Sequence, residues 1–302
     1  LKKNDTVTLS ITGMTAEGMG VGRHEGMAVF VPLSAPGDKI RAKIVKAAKS
    51  YAYGKLLELL SPSPDRIEPD CPVFSQCGCC YRHISYKAEK RIKWERVQDA
   101  LSRIGGLEKL PLRPILGAEG RDHYRNKALL PLGTDRDGAL TMGFYAVNSH
   151  RVIDCASCRL QPEEMNAAMA AFRNWEKQYG DPIYREEAHT GRMRRLYLRK
   201  GEKTGQLMAC VVVNGNGLHH EQELVSMLRE AVPGLCSVVI NSNREKTNVA
   251  LGKKCRTVWG SDTIQDELCG LRFRLSPLSF YQVNRTQAER LYEKAAEYAG
   301  LT

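Results

Sequence analysis

Residues 71–80, CPVFSQCGCC, place four of the chain's ten cysteines within ten positions. The run contains Pro72 and Gly78 and has neither a helical nor a strand period, so it predicts an irregular loop. Its four thiols suit three different roles: they could form disulfides, bind a metal ion or include a catalytic nucleophile. In a reducing cytosol, clustered cysteines are more often metal ligands or catalytic groups than disulfides.

The expected cellular compartment is inferred from two kinds of segment that the sequence does not show, a membrane-spanning helix and a secretory signal. No apolar run is long enough to predict a membrane-spanning helix. The first residues, LKKNDTVTLS, lack the apolar core of a secretory signal. We therefore expect a cytoplasmic protein. Its formal net charge of +11 indicates an anionic partner, and nucleic acid is the commonest such partner of a soluble protein.

Two groups of cysteines have the spacing of metal ligands. Cys71, Cys77 and Cys80 form C-x5-C-x2-C, and Cys155 and Cys158 repeat the x2 spacing in VIDCASCRLQP. A zinc site would use Cys77, Cys80, Cys155 and Cys158, whereas a [4Fe-4S] cluster would use Cys71, Cys77, Cys80 and Cys158. The zinc set leaves Cys71 without a role and has a gap much longer than a zinc ribbon needs. Composition and spacing leave both sets open.

Residues 1 to about 60 predict a small β-barrel. Gly, Pro, Asp and Ser separate five short strands, at 7–11, 20–24, 27–32, 39–47 and 51–60. Glu25 and Gly26 have the composition of a hairpin turn. KIRAKIVK alternates apolar and basic residues, which predicts one face in the core and one positive face. Five such strands suit an OB-like barrel, a fold that often binds single-stranded nucleic acid.

Beyond a Pro-rich linker at 61–70, the chain predicts an α/β domain. A basic helix is predicted over 86–104, with Ile92, Val97, Leu101 and Ile104 as its apolar stripe. The remaining predicted elements are hairpins at 138–147 and 193–215, a helix over 221–232, strands at 235–243 and 247–252, and a helix from 285 to about Gly300. The fold class is multidomain α/β with an N-terminal β-barrel.

Four motifs occur in one order: the cysteine pattern, YRNK (124–127), VID-x3-C (152–158) and SPLSFYQVN (276–284). That order resembles the iron–sulfur, TRAM-containing 23S rRNA (uracil-5-)-methyltransferases of the RNA 5-methyluridine methyltransferase family. The resemblance covers essentially the whole chain. It implies a TRAM barrel over 1–62, an iron–sulfur and α/β RNA-recognition domain over 63–271, and the beginning of a Rossmann-like S-adenosylmethionine-dependent domain over 272–302.

The resemblance also assigns site residues. It implies that Cys71, Cys77, Cys80 and Cys158 bind the [4Fe-4S] cluster and that Cys155 does not. Cys79 replaces the second Gly of the family's C-G-G-C and is a departure from it. Gln282 matches the glutamine that contacts S-adenosylmethionine in the family, and its amide can both donate and accept hydrogen bonds.

The activity implied is methyl transfer to carbon 5 of a uridine in 23S rRNA. A thiolate adds to carbon 6 of the ring, and a base removes the carbon-5 proton after the transfer. The family's catalytic Cys and base are expected beyond Thr302, so we expect this chain alone to bind RNA without methylating it.

We also expect a monomer that binds no membrane. Arg125, Lys127, Arg194 and Arg195 are candidate phosphate contacts. The alternative hypothesis is a non-enzymatic RNA-binding protein with a structural zinc site held by four cysteines.

Overall fold

The computed structural model describes residues 1–107, 109–246 and 249–300. The chain divides into two compact units, residues 1–117 and 118–302. The domain boundaries expected after residues 62 and 271 concern family domains, and they stay predictions. Within the described residues, no helix is both long and apolar enough to cross a membrane.

The first unit begins with a closed five-stranded barrel, as the alternating pattern predicts. Its strands are β1 (Thr6–Met14), β2 (Met19–His24), β3 (Met27–Pro32), β4 (Lys39–Ala47) and β5 (Tyr51–Ser61). They follow the order β1-β2-β3-β5-β4, with β4 paired back to β1. Alternate apolar side chains fill the barrel, among them Leu9, Val29 and Ile40. The hairpin turn lies at Glu25 and Gly26, both with positive φ.

One buried carboxylate fixes the end of the barrel. The Asp38 side chain is fully buried and accepts hydrogen bonds from the backbone N–H of Ala35 at 2.6 Å and of Ser63 at 2.9 Å. Arg66 donates to both of its oxygens at 2.8 Å. Burial alone would raise the pKa of Asp38, but the hydrogen bonds from Arg66, Ala35 and Ser63 outweigh it and hold the pKa below its ordinary value. The linker after β5 is thereby tied to the loop between β3 and β4.

Helix α1 (Tyr86–Asp99) follows the cysteine loop and continues as a short π-helical segment, Ala100–Ile104. The Ser85 side chain caps it by accepting from the Ala88 N–H at 3.2 Å. Of the predicted apolar stripe, Ile92 is buried against Met14 and Ile84. The prediction is wrong for two of its residues, since Val97 is 49% exposed and Ile104 is 87% exposed. The wider turns after Asp99 rotate Ile104 off the α-helical stripe. Val97 lies within α1, on a side of the helix that remains exposed.

The second unit is built on a seven-stranded sheet of order β12-β11-β10-β9-β6-β7-β8. Its strands are β6 (Lys127–Thr134), β7 (Leu140–Tyr145), β8 (Val152–Asp154), β9 (Met193–Lys200), β10 (Leu207–Val213), β11 (Leu235–Ser242) and β12 (Lys254–Gly260). Helices α2 (Glu163–Tyr179) and α3 (Glu221–Ala231) bury their apolar sides against one face, in the cluster that contains Phe172, Trp175 and Leu228. Strands β10 and β11 are parallel, and the other pairs are antiparallel.

The other face of the sheet is covered by the end of the chain. There β13 (Ile264–Leu268) and β14 (Leu271–Leu275) form a hairpin, and α4 (Arg285–Ala299) follows after the segment 276–284. Leu275, Tyr281 and Ala288 pack on Tyr197 and Cys210 of the sheet. Residues 264–288 thus pack onto the sheet through an apolar cluster.

The predicted hairpin at 193–215 is confirmed as β9 and β10. The predicted hairpin at 138–147 is wrong, because β7 is one strand that pairs with β6 on one side and β8 on the other. The predicted strand at 247–252 begins on Thr247 and Asn248, which lie outside the described residues, and 249–252 is not a strand.

Candidate functional site

Two of the sequence motifs, YRNK and SFYQVN, meet in the second unit. The Asn126 side chain donates to the Gln282 carbonyl oxygen at 2.8 Å, across 156 residues of sequence. The Asn126 N–H donates to the Val283 carbonyl at 3.0 Å, and Arg125 forms a β-bridge with Asn284. Because Asn126 is 3% exposed, these bonds are shielded from water. The motifs therefore form one structural unit, which we call the motif junction (residues 124–127 and 279–284).

A buried arginine holds the approach to the second motif. Arg199, 2% exposed, donates to the Ser276 carbonyl at 2.8 Å and to the Ser279 carbonyl at 2.6 Å. Its guanidinium also lies 5.6 Å from the centre of the Tyr197 ring. Burial lowers the pKa of Arg199, and Tyr197 partly offsets the effect. Arg199 is a positioning residue that fixes the turn leading into SFYQVN.

The motif junction carries unneutralised positive charge. Burial lowers the pKa of Lys127, and the nearby charges of Arg199 and Arg125 lower it further. In the part of the chain that the structure describes, none of the three forms an ion pair. Arg125 and Lys127 are half-buried, so both remain accessible to a ligand. The arrangement suits an anion.

Tyr281 anchors the middle of the second motif. Its hydroxyl donates to the Asp266 carboxylate at 3.1 Å, and both side chains are buried. With Tyr281 directed inward, its neighbour Phe280 is 81% exposed. Gln282 is half-buried, and its side-chain amide makes no hydrogen bond to any described residue. The anchoring leaves the amide of Gln282 available to a ligand.

A partly open cavity of about 360 Å³ borders the motif junction. Its lining is mostly polar or charged: His123, Tyr124, Asn126, Pro162, Glu163, Glu164, Lys200 and Glu202. Lys200 is paired with Glu164 at 2.6 Å, and a ring nitrogen of His123 lies 2.7 Å from the Gln161 carbonyl oxygen. The side chain of Gln161 is fully buried, and neither of its amide atoms has a hydrogen-bond partner. No sequence pattern indicates this cavity, because its walls come from three separate segments.

Three of the four predicted cluster ligands lie in the first unit. Cys71, Cys77 and Cys80 are half-buried in the run of turns between the linker and α1. The Cys77 and Cys79 sulfurs are 3.9 Å apart, so the residue that departs from the family pattern lies next to a predicted ligand. A Cβ on Gly18 would clash with the Cβ of Cys80, so the β1–β2 turn packs directly on this loop.

The environment of Cys80 opposes its thiolate form. Burial raises the pKa of the Cys80 thiol, and the carboxylates of Glu89 and Glu17 raise it further, against opposing effects of a backbone hydrogen bond and of Lys93. A thiolate at this position therefore needs a compensating positive charge, which a bound metal centre would supply.

The fourth predicted ligand, Cys158, lies in the second unit. It is buried, and its N–H donates to the Asn166 side chain of α2 at 2.9 Å. Cys155, expected not to be a ligand, is also buried, and its thiol donates to the Ser157 carbonyl at 2.9 Å. Thiolate donors suit iron or zinc. Among residues 1–107, 109–246 and 249–300, however, no group of three or more His, Cys, Asp or Glu side chains is placed to hold a metal ion. The ligand set stays a prediction.

Two of the predicted phosphate contacts are wrong. Arg194 is 3% exposed and donates to the carbonyls of Asn243 and Glu245, while its other nitrogen lies 3.2 Å from Glu186. Arg195 is 6% exposed and donates to the Tyr145 hydroxyl at 3.3 Å. Both lie on β9, a central strand that is covered on both faces. Neither guanidinium is exposed to a phosphate in this fold.

Comparison with known proteins gives a consistent result for both units. Residues 1–57 match the TRAM domain family. An RNA methyltransferase of Halalkalibacterium halodurans, named as uncharacterized, is 40% identical over 303 aligned positions that include the whole chain. Another from Clostridium tetani, also named as uncharacterized, is 40% identical over 302. The chain spans 66% and 65% of the length of these two relatives.

A solved structure of a methyltransferase shares the fold. The tRNA (uracil-54, C5)-methyltransferase of Pyrococcus abyssi, in complex with S-adenosyl-L-homocysteine, matches with a TM-score of 0.73 at 23% identity. The match covers 96% of this chain and 64% of the Pyrococcus one. At this identity the likeness shows a common fold.

Proposed function

We propose that this chain, which is 40% identical over its whole length to an RNA methyltransferase, forms the RNA-binding and cluster-binding portion of an enzyme that methylates carbon 5 of a uridine in 23S rRNA. The methyl donor is S-adenosylmethionine. The 40% identity across the whole chain is the observation that carries RNA methylation, whereas the choice of 23S rRNA rests on the resemblance of the four sequence motifs. The Pyrococcus neighbour, whose name states uracil C5 as its target, supports the position on the ring. The reaction would take place in the cytoplasm.

The geometry of the motif junction supports this proposal. Gln282 has a half-buried amide without a partner among the described residues, as expected of a side chain that contacts the methyl donor. Arg125 and Lys127 lie beside it with no neutralising carboxylate, and their charge suits an RNA phosphate. Arg199 and Tyr281 hold the backbone on which Gln282 is presented. In this proposal Gln282, Arg125 and Lys127 contact ligands, and Arg199 and Tyr281 position them.

Removal of the gene that encodes this chain tests the proposed target. In such cells, nucleoside mass spectrometry of purified 23S rRNA should show loss of 5-methyluridine, restored by the wild-type gene, while transfer RNA keeps its content. Unchanged 23S rRNA would contradict the proposal. If 5-methyluridine is lost from transfer RNA alone, the substrate is transfer RNA, the class that the name of the Pyrococcus neighbour states.

We also propose that Cys71, Cys77, Cys80 and Cys158 bind a [4Fe-4S] cluster, on the sequence pattern and the thiolate chemistry. Its role would be to stabilise the fold or the docking of RNA rather than to transfer electrons, because the pattern lies far in sequence from the SFYQVN motif. Anaerobic purification should give a brown protein with about four irons per chain. A colourless protein with one zinc would favour the alternative, a non-enzymatic RNA-binding protein with a zinc site held by four cysteines.

A further inference from the structure

Two thiols of the cysteine loop lie close enough to react with each other. The Cys77 thiol donates to the Cys79 sulfur at 3.9 Å, and both side chains are half-buried, so a small solute can reach them. The residue between them, Gly78, has a φ of 87°, in the left-handed region. Because glycine adopts that conformation without strain, the chain turns there and its two neighbours face each other.

Backbone hydrogen bonds keep the pair in place. The Cys77 N–H donates to the Val73 carbonyl at 3.2 Å, and the Arg82 N–H donates to the Cys79 carbonyl at 3.4 Å. Both cysteines therefore lie in turns that their own backbone stabilises. A disulfide has its sulfurs about 2.05 Å apart. Rotation of the two side chains brings the sulfurs together, so the loop does not need to refold.

Cys80 is a poorer partner for either thiol. It follows Cys79 directly, and the Cα atoms of consecutive residues are only about 3.8 Å apart. Most disulfides join Cα atoms that are at least about 4.4 Å apart. The Cys80 side chain also packs against the β1–β2 turn at Gly18, which restricts its rotation. The geometry therefore selects Cys77 and Cys79.

We propose that Cys77 and Cys79 form a reversible disulfide when the loop holds no metal centre. The oxidant is a low-molecular-mass disulfide such as oxidised glutathione. One cysteine thiolate attacks it, forms a mixed disulfide and releases one glutathione. The other cysteine thiolate then attacks the sulfur of the first, which closes the protein disulfide and releases the second glutathione. Two electrons and two protons pass from the pair to glutathione.

The disulfide has a consequence for the proposed cluster. It removes Cys77 from the ligand set, so an oxidised chain takes up no cluster until the bond is reduced. This consequence rests on the proposed cluster, whereas the disulfide itself does not. Cytosolic disulfides are usually transient or redox-sensing, and a bond that closes so short a loop is strained and easily reduced. Cys79 thus makes the cluster site sensitive to the thiol redox state.

Alkylation mapping of the 302-residue chain tests the proposal. The chain is stripped of metal with a chelator, reduced, freed of reductant without oxygen and equilibrated with oxidised glutathione. Iodoacetamide then blocks the remaining thiols, and chymotrypsin releases residues 75–81, SQCGCCY. In most copies this peptide should lack two hydrogen atoms and carry one blocked thiol, at Cys80. Dithiothreitol added before the blocking step should restore three blocked thiols.

This measurement on the wild-type chain does not depend on any variant folding. Three blocked thiols after oxidation would overturn the proposal. A glutathione that stays attached to Cys77 or Cys79 would also overturn it, as would a disulfide that leaves either of these residues blocked in place of Cys80.

Two serine variants separate the pair from general thiol chemistry. Cys79→Ser keeps the size of the side chain but removes its thiol, so no disulfide should form within residues 75–81. Cys236→Ser removes a half-buried thiol from the second unit and should leave the yield of the disulfide unchanged. Equal yields in Cys79→Ser and wild type would contradict the assignment.

The proposed cluster and the proposed disulfide can fail independently. In a chain purified anaerobically with its iron, the same oxidant should leave all three thiols of residues 75–81 to be blocked after denaturation, because the cluster occupies Cys77. A chain without iron that forms the disulfide would support the pair and contradict the cluster. An iron-containing chain that forms no disulfide once stripped of metal would support the cluster and overturn the pair.

Discussion

Strands β4 and β9 are both rich in basic residues, yet they use them in opposite ways. On β4, Lys39, Arg41 and Lys43 point outward and are exposed, while the residues between them fill the barrel. On β9, Arg194 and Arg199 are at most 3% exposed, and backbone carbonyls accept their hydrogen bonds. An exposed cation is available to a partner, whereas a buried one stabilises its own fold.

The type of cation follows the environment. Arginine has a planar guanidinium with five donors and is less strongly hydrated than an ammonium, so it tolerates burial among carbonyl groups. Lysine is a compact, strongly hydrated charge that suits the surface. The basic residues of β9 that lie under the covering segments are arginines, and lysine predominates among the exposed basic residues of β4. The difference helps to identify which basic strand of such a chain faces a nucleic acid.

The largest expected effect comes from Asp38. Its carboxylate is buried, whereas the basic side chains of β4 lie on the surface of the barrel. Asp38→Ala should lower the free energy of unfolding by about 3–5 kcal/mol, because Arg66 and two backbone N–H groups lose their acceptor. Urea denaturation at neutral pH measures it. Glu58→Ala, which breaks an exposed pair with Arg41, should cost no more than about 1 kcal/mol and is the control.

The same residue gives a pH dependence. The folded-state pKa of Asp38 is lowered, so its contribution is fully present above the unfolded-state value of about 3.9 and is lost as the pH falls through the folded-state pKa. Unfolding free energies measured on the acid side of neutrality should therefore decline less steeply for Asp38→Asn than for wild type. If the unfolding free energy had the same pH dependence in both proteins, the result would contradict the ion pair between Asp38 and Arg66.

Next in size is Arg199, the buried arginine at the end of β9. Arg199→Ala should lower the free energy of unfolding by about 3 kcal/mol, because two hydrogen bonds from a charged donor are removed. Lys43→Ala, on the exposed face of β4, should stay within about 0.5 kcal/mol of wild type. Urea denaturation of both variants checks the comparison. Equal losses would mean that burial does not separate the two strands.

The smallest effect concerns the turn that packs on the cysteine loop. Gly18 and Gly26 both have positive φ, 76° and 84°, but only at Gly18 would a Cβ meet a neighbour, Cys80. Alanine strains the backbone at both positions, and at Gly18 it also forces the loop away. Gly18→Ala should therefore be less stable than Gly26→Ala by about 1–3 kcal/mol. Thermal unfolding of the pair measures this, and equal midpoints would show that the turn and the loop are not packed.

The structural features that could be predicted from the sequence are those that neighbouring residues determine. Alternation in KIRAKIVK determines the faces of β4, because a strand exposes every second residue. The same reasoning could not place Arg194 and Arg195, since their burial depends on segments that cover β9 from elsewhere in the chain. Similarly, 138–147 contains turn-forming residues, but its pairing with β6 and β8 is set by the whole sheet.

At the candidate site, the sequence identified YRNK and SFYQVN, whose residues proved to be hydrogen-bonded to each other. It did not indicate Arg199 or Asp266, which act through carbonyl and hydroxyl partners distant in sequence. A basic residue inside an otherwise apolar strand, as in LYLRK, is the signal that could have drawn attention to Arg199. The cysteine ligand set rests on spacing and resemblance alone.

Lysine footprinting tests most directly whether the exposed lysines of the barrel contact RNA, in contrast to the buried arginines of the sheet, which stabilise the fold. The chain is acetylated with and without saturating oligouridylate, and each lysine is quantified by mass spectrometry. Lys43, Lys46 and Lys55 should be protected by RNA, and Lys177, exposed on α2, should react equally in both samples. Barrel lysines that remain fully reactive when RNA is bound would contradict this division between the two basic strands.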